Sequence, residues 1–336
     1  DWGFIQSVAV GDMDGDGDLD IVAGNQFGQN VVYFNDGAGN FDSTDNTRNF
    51  GTEADRTQSV AVGDMDGDGD LDIIAGHFDQ QNVVYLNDGG GNFAIALNFG
   101  MGTDNTRSVA AGDMNGDGDL DIITGNGFGE QNVVYLNDGA GNFTATRNFG
   151  TGSDYTQSVA VGDMDVDGDL DIVAAHYDPS ATNNSQKNVV YLNDGAGNFT
   201  RTRSFATATD SSTLSVALGD MDGDGDLDII AGNDGRDVVY LNDGKGSYDN
   251  PGKSPHNFGS DADVTYSVAV GDMDGDGDLD IIAGGQQSGV YLNDGTGNFI
   301  AARTFATFED NGSQSVAVGD MDGNGDLDII VGNYSH

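Results

Sequence analysis

Five carboxylates in nine residues set the chemistry of this chain. The segment Asp12-Met13-Asp14-Gly15-Asp16-Gly17-Asp18-Leu19-Asp20 alternates acids with small or apolar residues. Two unit charges about 4 Å apart repel by roughly 4 kcal/mol at an effective dielectric of about 20. Only a bound cation makes such a cluster tolerable. Calcium takes about 6–8 oxygens in flexible geometry, whereas magnesium demands a tight octahedron and keeps its water. Gly15 and Gly17 let the backbone curl around the ion, because glycine reaches positive φ without strain. The loop is not an EF-hand, which needs a bidentate Glu at position 12; Ala23 stands there. The closing acid is Asp20, inside the run Leu19-Asp20-Ile21-Val22-Ala23, whose short, β-branched character predicts a strand. The ion is therefore expected to tie a β-hairpin.

The elements that position these acids repeat with them. The motif starts at Asp12, Asp64, Asp113, Asp163, Asp220, Asp272 and Asp320, at intervals of 48 to 57 residues. In the second copy Ser59-Val60-Ala61-Val62-Gly63 reads as strand A, followed by the metal loop and by strand B, Asp72-Ile73-Ile74-Ala75-Gly76. A variable loop leads to strand C, Asn82-Val83-Val84-Tyr85-Leu86, an Asp-Gly turn and strand D. Four strands in about 50 residues, repeated seven times, predict a propeller. The expectation is an all-β, seven-bladed β-propeller with a calcium loop in each blade, forming a single domain over 1–336. The blades fall at about 1–50, 51–100, 101–150, 151–206, 207–259, 260–306 and, in part, 307–336. Strand polarity puts every metal loop on one face and the variable loops on the other.

The last blade is expected to be incomplete. Tyr33, Tyr85, Tyr135, Tyr191, Tyr240 and Tyr291 mark six C strands, against seven A–B hairpins. Strand B of the last copy, residues 328–332, is then an open edge, and such edges recruit strands from other chains. A neighbouring copy, giving an oligomer or a fibril, or an adjoining domain is the expected cover.

Composition narrows the partners. There are 57 acidic and 11 basic residues, a net charge of −46. Nucleic acid and anionic membranes need a basic footprint, so neither is expected, and no membrane insertion is expected. With no Cys, disulfides and thiolate metal sites are excluded. No stretch approaches the roughly 18 apolar residues of a membrane helix. Cytosolic calcium is scarce, so seven weak calcium loops argue for an extracellular, secreted or cell-surface location. The first residue is Asp1, which suits a mature secreted form or a trimmed fragment.

The recurring Val-Ala-Val-Gly-Asp-Met-Asp-Gly-Asp-Gly-Asp-Leu-Asp-Ile-Ile-Ala-Gly, followed by Tyr-Leu-Asn-Asp-Gly-Xaa-Gly-Asn-Phe, resembles the FG-GAP/VCBS repeats that build calcium-binding propellers such as the integrin α-subunit head. The resemblance covers nearly the whole chain. It implies an extracellular, calcium-bound repeat protein, of the kind used in cell adhesion, but no particular ligand. It also implies that loop positions 1, 3, 5 and 9 give side-chain oxygens and position 7 a backbone carbonyl. In chain order the implied ligands are Asp12, Asp14, Asp16, Asp18 and Asp20; Asp64, Asp66, Asp68, Asp70 and Asp72; Asp113, Asn115, Asp117, Asp119 and Asp121. The fourth and fifth sets are Asp163, Asp165, Asp167, Asp169 and Asp171, and Asp220, Asp222, Asp224, Asp226 and Asp228. The last two are Asp272, Asp274, Asp276, Asp278 and Asp280, and Asp320, Asp322, Asn324, Asp326 and Asp328. Neutral Asn115 and Asn324 should weaken their copies, and Val166, where other copies carry Gly, should strain the fourth.

The variable face holds the unrepeated residues. Phe27, Phe78, Phe128 and Tyr177 sit in B–C loops beside His77 and His176. Such a ring could stack on sugars and bond their hydroxyls; packing against the adjacent blade is the plainer reading. No Ser-His-Asp or paired-Glu spacing stands out, so the chain is not expected to be an enzyme. The function expected is a non-catalytic binding, adhesion or assembly module, with a lectin as the alternative and a polysaccharide lyase behind it.

Overall fold

The computed structural model describes residues 4–41, 46–127, 129–152, 154–177, 188–205, 212–248, 256–260, 263–306 and 312–333. Among them every regular element is a strand, and no helix is long and apolar enough to cross a membrane. Each metal motif is the turn of an antiparallel hairpin. These hairpins pair β1 (Ile5–Gly11) with β2 (Asp20–Asn25), β5 (Thr57–Gly63) with β6 (Asp72–Leu86), and β7 (Ile95–Gly112) with β8 (Asp121–Asn126). They continue with β11 (Thr156–Gly162) and β12 (Asp171–His176), β15 (Thr213–Gly219) and β16 (Asp228–Asn233), β19 (Thr265–Gly271) and β20 (Asp280–Gly285), and β23 (Ser313–Gly319) and β24 (Asp328–Asn333). The register is the same in all: the Gly that ends strand A faces the Asp that opens strand B, as Gly11 faces Asp20.

The outer strands complete the sheets. They are β3 (Asn30–Tyr33), β4 (Thr47–Phe50), β9 (Asn132–Leu136), β10 (Ala145–Phe149), β13 (Asn188–Leu192) and β14 (Arg201–Phe205). To these are added β17 (Asp237–Tyr240), β18 (His256–Phe258), β21 (Ser288–Asn293) and β22 (Phe299–Ala306). Four sheets have four strands each, in chain order.

The expectation of seven separate blades is corrected here. The structure forms five sheets of four or more strands, and a sixth, β23–β24, with two. The second and third repeats share one six-stranded sheet. The cause is local: the second repeat's two variable loops pair with each other, Phe78 with Asn105 and Gln80 with Asp104. Strands β6 and β7 therefore run on where other repeats break. Asp79, at φ 56°, absorbs the bend. Aspartate tolerates this left-handed region better than most residues.

The A strands form a closed inner ring. Over its hairpin residues each A strand is paired on one side only, so its free N–H groups need partners. Val60 N–H donates to Ser7 Oγ at 3.1 Å, and the pattern repeats from Val109 to Ser59, Val159 to Ser108, Val216 to Ser158, Val268 to Ser215 and Val316 to Ser267. Val8 N–H then donates to Ser315 Oγ at 3.0 Å and closes the circle.

The core lies between repeats rather than within them. One apolar cluster joins Met13, Val22, Val32 and Phe50 of the first repeat to Val60, Ile73, Ala75 and Tyr85 of the second. Edge-to-face ring pairs recur across these seams, Phe50 on Tyr85 at 5.3 Å and Phe99 on Tyr135 at 5.2 Å. Among the described residues five such clusters join consecutive repeats from the first to the sixth, as in other repeat architectures.

Candidate metal centres

The acidic loop is shaped by its own backbone. Asp12 Oδ1 accepts the N–H groups of Gly15 and Asp16, and its Oδ2 accepts that of Gly17. Asp16 Oδ1 accepts from Asp18 N–H. This curl needs left-handed backbone at Gly15 (φ 76°) and Gly17 (φ 97°). In the fourth copy Val166 is held at φ 58°, a true outlier for a β-branched residue. The expected strain is therefore present.

The loop converges three carboxylates. Asp12, Asp14 and Asp20 bring one oxygen each within 4.8 Å of one another, as do Asp64, Asp66 and Asp72, Asp163, Asp165 and Asp171, and Asp220, Asp222 and Asp228. In the sixth copy the convergent set is Asp272, Asp274 and Asp276. Asp20 is fully buried; its Oδ2 accepts Met13 N–H and its Oδ1 accepts Asn35 N–H, both at 2.8 Å. Burial nevertheless pushes its carboxyl up to about 6, with the Asp14 and Asp16 charges adding to the rise. Asp72, Asp121 and Asp171 also rise to about 6, and Asp228 to about 7, each chiefly through burial. Asp14, Asp66 and Asp165 each keep a buried Oδ1 with no hydrogen-bond partner. An unpaired buried carboxylate oxygen is costly, and a cation beside it removes the penalty. This donor set, all hard oxygens on a flexible loop, fits calcium.

Copies differ in detail. Asn115 turns its amide on Asp117, Nδ2 to Oδ2 at 2.9 Å, so its Oδ1 is the only ligand atom it can give. Asn324 Oδ1 accepts Asp326 N–H. In the fourth copy Arg201 Nη2 lies 2.9 Å from Asp165 Oδ2, a cation already competing for that acid. The side chain at loop position 7 packs under the Asp-Gly turn: a Cβ on Gly37 would collide with the Asp18 carboxylate.

Recurrent residues outside the motif support the loops. Asn35 Nδ2 donates to Leu19 O in its own repeat and to Met321 O in the preceding one. Asn87, Asn137, Asn193, Asn242 and Asn293 do the same. Their signal was the fixed Asn-Asp-Gly spelling, which turn chemistry alone does not explain. Asp237, Arg56 and Arg107 had no repeated signal at all.

The variable face is mixed. Phe27 is 53% exposed, edge-to-face with Phe4 at 5.7 Å. The guanidinium carbons of Arg56 and Arg107 lie over the Phe78 ring, 4.3 and 5.1 Å from its centre. Tyr177 packs on Tyr155 at 5.6 Å. His77 and His176 are buried, at 2% and 3% exposure. The His77 Nδ1 lies 2.6 Å from Gln81 O, where Asn25 and Asn126 place an amide in their own loops. Phe128 lies outside the described residues. A cavity of about 480 Å³ opens beside Phe27, lined also by Gln26, Glu53, Asp55 and Arg56.

Solved structures share this architecture. A lectin from Agrocybe aegerita, described as recognising non-reducing terminal N-acetylglucosamine, superposes with a TM-score of 0.64 at 23% identity, covering 99% of this chain and 87% of its own. BBS1N, solved in complex with ARL6DN, gives 0.59 at 11% identity over 98% and 88%. The extracellular domain of a putative one component system, BT4673 from B. thetaiotaomicron, gives 0.59 at 15% identity; it covers 97% of this chain, which spans only 37% of that one. At these identities the likeness is one of fold. No curated protein sequence matches the chain. The FG-GAP-like repeat model matches six times, over residues 12–75, 64–124, 123–174, 180–231, 220–283 and 281–331, and with hairpin, loop and seam recurring in the same spans, the chain belongs to the FG-GAP-like repeat family.

Proposed function

We propose that the chain is an extracellular, calcium-stabilised β-propeller that works as a non-catalytic binding, adhesion or assembly module. The acidic loop recurs in seven A–B hairpins, and each is read as a calcium loop. The observation that carries the calcium reading is the repeated convergence of three carboxylates around buried, unpartnered oxygens. About seven ions are expected, bound most weakly in the third and seventh copies. Ligand at about 100 times its dissociation constant stabilises the fold by roughly 2.7 kcal/mol per site. Several such sites exceed the usual margin of about 5–15 kcal/mol. Excess EGTA should therefore lower the melting temperature steeply, and metal analysis of the dialysed protein should find more than two calcium ions per chain. An unchanged melt, or two ions or fewer, overturns the reading.

Two partner classes fit, protein and glycan. The glycan reading is favoured by Phe27, an exposed ring beside polar side chains in a cavity of sugar size, and by the lectin among similar folds. A glycan array with the calcium-loaded protein tests it: binding that Phe27→Ala abolishes supports the lectin, and an empty array leaves the assembly module. Turnover of acidic polysaccharide would instead establish a lyase.

A further inference from the structure

Two acidic loops carry an amide where the others carry an acid, and glycine follows each amide: Asn115-Gly116 and Asn324-Gly325. In an Asn-Gly pair the glycine nitrogen can attack the side-chain amide carbon before it, because glycine has no Cβ to obstruct the approach. The attack closes a five-membered succinimide ring and expels ammonia. The third loop gathers the parts of that reaction around one peptide bond. The nucleophile, Gly116 N–H, donates to Asp113 Oδ1 at 2.8 Å, which places a base within reach of the proton to be removed. Asn115 Oδ1, where negative charge develops, accepts Asp117 N–H at 2.9 Å, the place of an oxyanion donor. Asn115 Nδ2, the atom that leaves, donates to Asp117 Oδ2 at 2.9 Å. The bond from Oδ1 to the N–H two residues on closes a ring around the Gly116 nitrogen, which holds the amide carbon beside it. Gly116 is exposed, so water reaches the site.

The seventh loop repeats two of these parts. Gly325 N–H donates to Asp320 Oδ2 at 2.8 Å, and Asn324 Oδ1 accepts Asp326 N–H at 2.7 Å. Among the described residues no acceptor holds the Asn324 amide nitrogen. Asn126-Gly127 has the same two letters in a different setting. Asn126 ends β8 and is 3% exposed; its Nδ2 donates to Gln131 O at 2.7 Å and its Oδ1 accepts the Thr106 hydroxyl at 3.0 Å. Gly127 N–H donates to Asn105 O at 2.9 Å, within the sheet. Asn311-Gly312 begins outside the described residues.

We propose that Asn115, and more slowly Asn324, are self-modifying sites that convert the two neutral loop positions into acids. A bond forms between Gly116 N and Asn115 Cγ, and the bond from Cγ to Nδ2 breaks. The proton lost by Gly116 is gained by the amide nitrogen, which leaves as ammonia. Water then opens the ring at one of its two carbonyls. Opening at Cγ restores the chain with a carboxylate at position 115 and completes the acid pattern of the other loops. Opening at the backbone carbonyl gives an isoaspartyl link, which adds a methylene to the main chain and spoils the loop. The consequence for calcium rests on the calcium reading above; the reaction does not. Asp113 and Asn115 Oδ1 cannot hold a cation and serve Gly116 at once, so conversion belongs to the metal-free loop.

The test incubates the full chain at neutral pH in water enriched in heavy oxygen, with EGTA or with excess calcium, and follows it by peptide mass spectrometry. Position 115 should convert first and position 324 next, each taking up one heavy oxygen and giving aspartyl and isoaspartyl forms. Asn126 should keep its amide, and calcium should slow position 115 several-fold. Asn115→Gln, whose ring would be one atom larger, should stay unconverted. Asn115→Asp supplies the acid directly, and calorimetry should find one calcium site tightened about tenfold, because ligand charge tunes such loops. An amide retained at 115 in EGTA, or conversion there no faster than at 126 or in a free peptide of residues 108–120, overturns the proposal. Conversion at 115 with unchanged calcium binding by Asn115→Asp upholds the modification and overturns the calcium reading of that loop.

Discussion

At the scale of single residues, the informative positions are those that depart from the repeat. Asp237 stands where other repeats carry Asn30, Asn82, Asn132 and Asn188. It is 2% exposed; its Oδ1 accepts Asn233 N–H and its Oδ2 accepts the Thr265 hydroxyl, both at 2.8 Å. Burial pushes its carboxyl up to about 7 from an ordinary 3.8. A folded-state pKa above the unfolded one lends stability at low pH that is lost as pH rises from about 4 through about 7. Asp237→Asn removes that loss, and its amide can donate to Thr265 as Asn82 Nδ2 donates to Thr106 Oγ1. At pH 8 the variant should be more stable by roughly 1–4 kcal/mol, with little difference at pH 4; paired urea melts at the two pH values check this. Val166→Gly relieves a β-branched residue at φ 58° and should stabilise the chain by about 1 kcal/mol. A melting temperature unchanged or lowered in calcium would show that the fourth loop carries no such strain.

At the scale of elements, the hairpins are local and the seams are not. The A–B hairpin is specified by alternation, the loop and its glycines. What joins one hairpin to the next is a small set of polar bonds over an apolar seam. Asn137 Nδ2 donates to Met65 O at 2.8 Å and to Leu120 O at 3.0 Å, and the side chain is 6% exposed. Asn137→Ala leaves both carbonyls without that donor and should lower stability by about 2–4 kcal/mol, since a buried group left unpaired costs about 1–3 kcal/mol. Ser158→Ala strands Val216 N–H and should cost about 1–3 kcal/mol. Chemical denaturation with unchanged slope would separate both effects from a change in compactness.

At the scale of the whole molecule, charge decides behaviour. A net charge of −46 acts against any compact state through self-repulsion, and the buried loop acids concentrate the problem. Without cations, Asp20, Asp72, Asp121 and Asp171 ionise near pH 6 and Asp228 near 7, all above the ordinary 3.8. In EGTA the melting temperature should therefore fall between pH 5 and pH 8 and recover as salt rises from about 0.05 to about 0.5 M, because exposed charges are screened. With excess calcium the pH trend should flatten or invert, since the ion needs the carboxylates charged. A metal-free protein whose melt is indifferent to pH and salt would remove the carboxylates from the account.

The order of strands within a repeat and the placing of the acids Asp12 to Asp20 in one hairpin turn were legible in the sequence because each depends on neighbours within about ten residues; which of those acids converge, Asp12, Asp14 and Asp20, only the structure decides. Alternation settles which side chains face inward, and glycine spacing settles where the loop turns. The strain at Val166 was legible for the same reason. The fusion of the second and third repeats into one sheet was not, because Phe78 meets Asn105 and Gln80 meets Asp104 across loops that share no pattern. Nor was the burial of His77 and His176, at the ends of strands in which other repeats carry Asn or Gly. The serine ring and the asparagine clamps lay in view as repeated letters, yet their partners are about 50 to 300 residues away in the chain. Local spacing determines which groups a loop can offer; closure of the chain on itself determines which of them are paired and which are buried.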